Sequence, residues 1–110
     1  MMNRDLRIVA EKEKAFYELT MRDGRKISML KPTLEFYYRV IEIKQLEMDI
    51  KTVNEAFENG ITLIVDYLNT NVEGEKFTRE DIMKSFTIPN VQGIIGDIFN
   101  FAMGIDTEKN

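Results

Sequence analysis

The side chains that could carry out acid–base chemistry in this sequence are mainly carboxylates, because the chain contains neither histidine nor cysteine. Histidine is the commonest side-chain base at neutral pH, and both missing residue types are common zinc ligands. Acids lie close together at Glu80-Asp81, at Glu47 and Asp49, and at Asp106 and Glu108. Neighbouring residues on a helix point about 100° apart, so Glu80 and Asp81 do not converge on one atom. Their position predicts favourable charge at a helix N-terminus rather than catalysis.

Two glycine-containing segments could suggest phosphate binding, Asp-Gly-Arg-Lys at residues 23–26 and Gly-Ile-Ile-Gly at residues 93–96. Neither has the glycine spacing followed by Lys-Ser or Lys-Thr that a phosphate-binding loop requires. We expect the first to form a turn and the second to provide a small-residue groove for another helix. Asp66 and Asp97 lie at positions that can face solvent, and neither has a second acid or a lysine at matching spacing. The sequence therefore predicts a non-enzymatic protein with no cofactor and no metal site.

Length and charge also restrict the function. At 110 residues the chain can form one domain with a modest core. Its composition, with 44% hydrophobic and 31% charged residues, is typical of globular proteins. Residues 1–32 carry eight basic and five acidic side chains, whereas the rest is acidic and lacks a dense basic cluster. This pattern disfavours nucleic-acid binding. The sequence shows no signal-peptide pattern, and its apolar runs are far shorter than the roughly 20 residues of a membrane span. We therefore expect a cytoplasmic protein.

The first part of the chain predicts a β-hairpin over residues 16–31. Apolar residues alternate over 17–21 and again over 27–29, and Asp23-Gly24 between them suits a two-residue turn with positive φ. An isolated hairpin is marginally stable in water, so its apolar face must lie against the helices or a partner chain. Residues 1–15 form a leader whose pattern fits a short strand and a helical face equally well.

The rest of the chain is predicted to be helical, over residues 32–104, followed by a tail at 105–110. Threonines that can accept a backbone hydrogen bond precede the first three helical segments, at Thr33, Thr52 and Thr78. Glu55 and Asp81 stand three residues after the second and third of these, which favours capping boxes. Pro89 suits a first turn, and Gly104 suits a helix end. The fold class is therefore mainly α, a small bundle of about four helices with a short N-terminal β-hairpin.

Two side-chain pairings and one site of close packing follow from the sequence. Glu35 and Arg39 are four residues apart in the order that favours an ion pair. Gly60 costs about 1 kcal/mol relative to alanine inside a helix, which indicates close packing or a slight bend at that point. Phe77 precedes the third helix at the position from which an apolar residue packs onto Ile82.

Aromatic and methionine side chains are numerous for so short a chain. The first helix has a wide apolar arc, as expected for a helix that lies centrally or buries a second face in an oligomer. Any single such residue belongs to a core more often than to an interface, but two wide-faced helices favour an oligomer or a partner groove. The residues predicted to mediate self-association or partner contact are Phe36, Tyr37, Ile95, Phe99, Phe101 and Met103.

The order of elements resembles the tail assembly chaperones of long-tailed bacteriophages and related prophages. The residues that carry the resemblance are Arg-Asp-Gly-Arg-Lys-Ile at 22–27, Thr-Leu-Ile-Val-Asp-Tyr at 62–67, Phe-Thr-Arg-Glu-Asp-Ile at 77–82, and Ile-Ile-Gly-Asp-Ile-Phe-Asn-Phe-Ala-Met-Gly at 94–104. The similarity extends over roughly residues 16–104.

This resemblance implies a non-enzymatic protein of the host bacterial cytoplasm. Such proteins bind the long tape-measure protein, keep its apolar helices from aggregating, and recruit tail-tube subunits. The family also implies a homo-oligomer, and it carries over no catalytic residue, cofactor or membrane association.

The residues alone leave other functions open. A small helix-binding adaptor or regulatory protein, unrelated to phage assembly, would need the same apolar surfaces. A carboxylate-based metal enzyme is disfavoured by the missing histidine, because di-metal helical bundles use Glu-x-x-His pairs. A transcription regulator is disfavoured by the acidic helices.

Overall fold

The computed structural model describes residues 16–105 and consists of a two-stranded hairpin followed by four helices. The elements are β1 (Tyr17–Thr20), β2 (Lys26–Met29), α1 (Leu34–Glu47), α2 (Val53–Leu68), α3 (Arg79–Ser85) and α4 (Ile88–Ala102). The predicted fold class, a mainly helical bundle with an N-terminal hairpin, is confirmed. The leader at residues 1–15 and positions 106–110 of the predicted tail lie outside the described residues.

The hairpin pairs in the register that its apolar alternation requires. Leu19 lies opposite Ile27, and Tyr17 lies opposite Met29, in an antiparallel ladder. Ile27 and Met29 are completely buried, and Tyr17 and Leu19 of β1 are partly buried against the same core. The hairpin therefore packs its apolar face onto the helices of its own chain.

The turn of the hairpin is longer than predicted. The Met21 amide donates to the Arg25 carbonyl at 2.7 Å, and the Gly24 amide donates to the Met21 carbonyl at 2.9 Å, which leaves a three-residue loop. Within this loop only Gly24 has positive φ, at +93°. The Asp23 carboxylate accepts the Arg25 amide at 3.0 Å. A tight turn followed by a left-handed glycine is a common three-residue hairpin connection. The predicted two-residue turn is therefore wrong by one residue.

The outer edge of β2 is covered by the loop between α2 and α3. The Val72 amide donates to the Ser28 carbonyl at 2.9 Å, and the Ser28 amide donates to the Glu73 carboxylate at 2.9 Å. This bond from the Ser28 amide holds the pKa of the Glu73 carboxyl below its usual range. Covering a strand edge in this way prevents it from pairing with another chain.

Helices α1 and α2 form an antiparallel pair, since Phe36 near the start of α1 contacts Tyr67 near the end of α2. Thr33 stands at the N-cap of α1 as predicted, but its side chain makes no capping hydrogen bond. Thr52 is not a cap acceptor either. Its hydroxyl donates to the Leu46 carbonyl at 2.6 Å, so the predicted capping box with Glu55 is wrong.

The predicted pair of Glu35 with Arg39 is also replaced by a contact between helices. The Arg39 guanidinium lies 2.9 Å from the carboxylate of Asp66 on α2. The same guanidinium lies over the Phe36 ring, with its carbon 5.6 Å from the ring centroid. Arg39 therefore ties α1 to α2 rather than stabilising one turn of α1.

Helices α2 and α4 approach each other closely at Gly60. A Cβ atom at this position would lie 2.9 Å from Cδ1 of Ile95 and 3.8 Å from Cγ1 of Val91. The predicted close packing at Gly60 is confirmed. By contrast, a Cβ atom at Gly93 or Gly96 would meet nothing within 4 Å, so no helix among residues 16–105 uses the predicted groove there.

The starts of α3 and α4 are fixed by complete capping boxes. Thr78 accepts the Asp81 amide at 3.2 Å while the Asp81 carboxylate accepts the Thr78 amide at 2.8 Å, as predicted. Thr87 and Asn90 form the corresponding box at α4, with Pro89 in its first turn.

The end of α4 also follows the sequence. Gly104 has φ +79°. The Gly104 amide donates to the Phe101 carbonyl at 3.1 Å, and the Ile105 amide donates to the Asn100 carbonyl at 2.8 Å. These are the two bonds of a Schellman helix end, which requires a left-handed residue.

One core joins all of these elements. Both members of the predicted pair, Phe77 and Ile82, are buried in it. Its buried apolar side chains are Ile27, Met29, Val40, Ile43, Ala56, Leu63, Ile64, Tyr67, Leu68, Phe77, Ile82, Val91, Ile94, Ile95 and Ile98.

None of the helices among the described residues is long and apolar enough to cross a membrane.

Candidate partner-binding surface

The adjacent carboxylates Glu80 and Asp81 have structural roles. Asp81 belongs to a capping box, and Glu80 lies 3.1 Å from the Lys84 amine one turn later. Within residues 16–105 no group of three or more acids is arranged to hold a metal ion. Both acids of α3 therefore stabilise their own helix.

Two tyrosine hydroxyls are withdrawn from solvent, and both are donors. The Tyr17 hydroxyl donates to the Asp97 carboxylate at 2.7 Å, and the Tyr67 hydroxyl donates to the Leu30 carbonyl at 2.7 Å. Burial raises the pKa of Tyr17 well above the ordinary tyrosine value, and the bond to Asp97 raises it further. Burial likewise raises the pKa of Tyr67. Both hydroxyls stay protonated at neutral pH, so neither is suited to act as a base there.

Asp97, to which the sequence assigns no role, therefore anchors β1 to α4. The two residues of this bond are separated by 80 positions in the chain. No local signal in the sequence could have paired them, because Asp97 looks like a residue that can face solvent and lies far from the hairpin in the chain.

Four of the six predicted contact residues lie on the side of the molecule where α1 runs alongside α4. Tyr37 and Phe99 stack with ring centroids 5.8 Å apart. Phe101 lies beneath the Lys31 amine, 5.3 Å from its ring centroid, and Met103 is 53% exposed just after α4 ends. The structure therefore brings these four predicted residues to neighbouring positions on α1 and α4.

The other two predicted residues lie elsewhere. Phe36 is partly buried against the core, with its ring edge-on to Tyr67 at 5.3 Å between centroids. Ile95 is only 6% exposed and faces Gly60 on α2. Within this chain Ile95 packs in the α2–α4 contact and offers little surface to a partner.

The structure adds two exposed residues that the sequence prediction omits, Leu34 and Tyr38. Leu34 is 73% exposed, and the Tyr38 ring meets Tyr37 edge-on at 5.4 Å between centroids. Their spacing of four residues places both on one face of α1. We refer to the whole apolar region as the α1–α4 surface, which comprises Leu34, Tyr37, Tyr38, Phe99, Phe101 and Met103.

Lysines border the α1–α4 surface. The Lys31 amine lies over Phe101, and the Lys44 amine lies 5.3 Å from the Phe99 ring centroid. A lysine can cover an apolar surface with its methylene chain while its amine stays hydrated. The side chains of Lys31 and Lys44 therefore lie over part of the aromatic surface.

A second concave region lies between β1 and α4. This groove of about 410 Å³ is lined by apolar side chains such as Leu19, Phe86 and Ile94 and by polar residues that include Arg22, Asn90 and Asp97. These three polar side chains already have partners within the chain. The Arg22 guanidinium donates to the Ser85 carbonyl at 2.6 Å and to Asn90 Oδ1 at 3.1 Å, at the opposite end from Asp97. The groove therefore contains few polar groups left to specify a ligand.

Known proteins give no further guide to these surfaces. No protein-family model, curated protein or solved structure matches the chain. The function must be inferred from the residues themselves and from their arrangement.

Proposed function

We propose that this protein is a non-enzymatic tail assembly chaperone of a long-tailed phage or prophage. In this proposal it acts in the host bacterial cytoplasm, holds the tape-measure protein before assembly, and helps to recruit tail-tube subunits. The α1–α4 surface holds an apolar helix of the tape-measure protein, and the protein also forms a homo-oligomer.

The observation that carries the proposal is the exposed apolar area of the α1–α4 surface. Leu34 and Tyr38 project from a helix whose opposite face already supplies Val40 and Ile43 to the core. A contiguous exposed apolar patch usually marks an interaction site. An amphipathic helix laid against such a patch buries its own apolar face, which is how helix-holding proteins retain their clients.

The resemblance to tail assembly chaperones supplies the identity of the client. Its four segments lie in the hairpin turn, in α2, at the capped start of α3, and in α4. These segments consist of capping residues and regularly spaced apolar residues. They therefore specify the fold and do not specify which client is bound. An adaptor that binds another helical protein would use the same surface, so the client must be tested directly.

Co-expression with a tape-measure fragment tests the proposal. We expect the wild-type chain to bring a helical tape-measure fragment into the soluble fraction and to copurify with it and with the tail-tube subunit. The genes for the tube and tape-measure proteins should also flank the gene for this chain. A chain that copurifies with neither protein, from a gene in a different setting, would favour the adaptor.

A further inference from the structure

The outward side of α1 carries an apolar strip that the core does not use. Leu34, Tyr38 and Ile41 recur at spacings of four and three residues, which places them on one helical face. Tyr38 is 65% exposed and Ile41 is partly exposed. We call these three residues the outer strip.

Acids border the outer strip on one side. Glu35 and Glu42 follow the first and last strip residues by one position and are both exposed. They line a shallow depression of about 490 Å³ that is completed by Tyr38, Arg39, Ile41 and Gln45. Arg39 adds little positive charge there, because its guanidinium pairs with Asp66 at 2.9 Å. The border of the strip is therefore negative.

The opposite border is different in character. It consists of Tyr37, which stacks on Phe99, and of Lys44, whose amine lies over the same ring. Two copies of α1 packed antiparallel would place acid borders against each other, which is unfavourable. Packed parallel, each pair of acids would meet one tyrosine and one lysine. A second copy therefore offers the two acids at most one cation, fewer than a helix bordered by several lysines or arginines.

We propose that the outer strip binds an amphipathic helix whose apolar stripe is bordered by lysine or arginine. This inference rests on the proposed function, and it states which helices of a tape-measure protein would be held. Cations along the edge of the client helix would face Glu35 and Glu42, while its apolar residues cover Tyr38. The charges select among apolar helices that the strip alone would bind equally.

Two synthetic helical peptides test the inference against the full chain. Both carry the same leucine stripe, which is bordered by lysines in one peptide and by glutamates in the other. We expect the lysine peptide to bind about tenfold more tightly at low ionic strength. Added salt should narrow the difference, because exposed charges are screened.

Charge reversal provides the matched comparison. The variant with Glu35→Lys and Glu42→Lys should prefer the glutamate peptide. A control with Glu55→Lys and Glu80→Lys undergoes the same change of net charge at exposed positions on α2 and α3. This control should keep the wild-type preference for the lysine peptide.

Two results would overturn the inference. One is equal binding of both peptides that charge reversal does not alter, with binding lost on Tyr38→Glu, since the strip would then bind without regard to charge. The other is a chain that binds neither peptide and forms a dimer that Tyr38→Glu separates, since a second copy would then occupy the strip. If the peptide preference is as expected but tape-measure fragments stay insoluble, the inference stands and the proposed function fails.

Discussion

Helices α1 and α2 lie side by side and are both rich in apolar residues, yet they use them differently. The buried residues of α2 are Ala56, Gly60, Leu63, Ile64, Tyr67 and Leu68, all on the side that faces its neighbours. Helix α1 buries only Val40 and Ile43 and leaves Leu34 and Tyr38 largely exposed. The apolar residues of α2 are therefore explained by folding, whereas packing among the described residues does not account for those on the outside of α1, and the proposed function assigns these to a partner.

Helix α4 combines both behaviours along its length. Its first eleven residues pack Val91, Ile94 and Ile98 into the core, and its last turn contributes Phe99 and Phe101 to the α1–α4 surface. In the proposed function, the division between folding and binding therefore runs through one helix. The following predictions test where that division lies.

The largest effect on stability is expected when leucine is replaced by alanine in the core, and the same replacement on the exposed face of α1 is its control. Leu63→Ala in α2 removes a completely buried side chain, and we expect a loss of about 2–5 kcal/mol in the free energy of unfolding. Leu34→Ala in α1 makes the same chemical change at a largely exposed position and should alter stability by about 0.5 kcal/mol or less. Urea unfolding of both variants measures the two values. Equal losses would mean that α1 buries its outer face after all.

The next largest effect on stability is expected at two helical glycines, one packed against another helix and one facing open space. Gly60→Val places methyl groups against Ile95 and Val91, where a Cβ alone would lie 2.9 Å from the Ile95 side chain, and should cost about 1–3 kcal/mol. Gly93→Val adds the same atoms to open space on α4 and should be neutral or slightly stabilising, since valine is a better helix former than glycine. Thermal unfolding compares the two. A loss at Gly93 as large as that at Gly60 would place a packed neighbour on the open face.

The attachment of the hairpin to the core should depend on pH. The pKa of Tyr17 is raised in the folded protein by burial and then by its bond to Asp97, so the folded state favours the protonated hydroxyl. This contribution to stability is fully present below about pH 10 and is lost as the pH rises further. The loss should reach about 1.4 kcal/mol per pH unit for each such tyrosine. Above about pH 10, the free energy of unfolding of the Tyr17→Phe variant should fall less steeply with pH, by that amount. If the slope of the free energy of unfolding against pH is unchanged in this variant, Tyr17 does not titrate with unfolding.

The smallest effect separates two threonines that look alike in the sequence. Thr78→Ala removes a complete capping box at α3 and should cost about 1 kcal/mol. Thr33→Ala removes a side chain that makes no capping hydrogen bond at α1 and should cost less than about 0.5 kcal/mol. Chemical unfolding of the pair decides the matter, and the reverse order would mean that Thr33 does cap α1 in solution.

The parts of the fold that follow from local sequence were predictable. Apolar spacing determines which face of a helix is buried, and the reciprocal box of Thr78 with Asp81 depends only on residues three positions apart. The glycine at position 104 is required by the left-handed conformation at a helix end.

The parts that depend on tertiary contacts were not predictable. Thr52 could cap α2 or donate to the carbonyl of Leu46, and only the path between α1 and α2 decides between them. The bond from Tyr17 to Asp97 joins distant parts of the chain. Ile95 was predicted to contact a partner, and its position opposite Gly60 is a property of the packed helices that the sequence does not reveal.

The most direct test of the central claim compares two triple variants in their ability to keep a tape-measure fragment soluble. One replaces Leu34, Tyr38 and Met103 of the α1–α4 surface with serine. The control replaces three exposed apolar residues away from that surface with serine, Ile50, Val72 and Met83. We expect both variants to fold, the first to leave the fragment insoluble, and the control to match the wild-type chain. Equal solubility of the fragment with all three chains would contradict the claim that the α1–α4 surface holds the client.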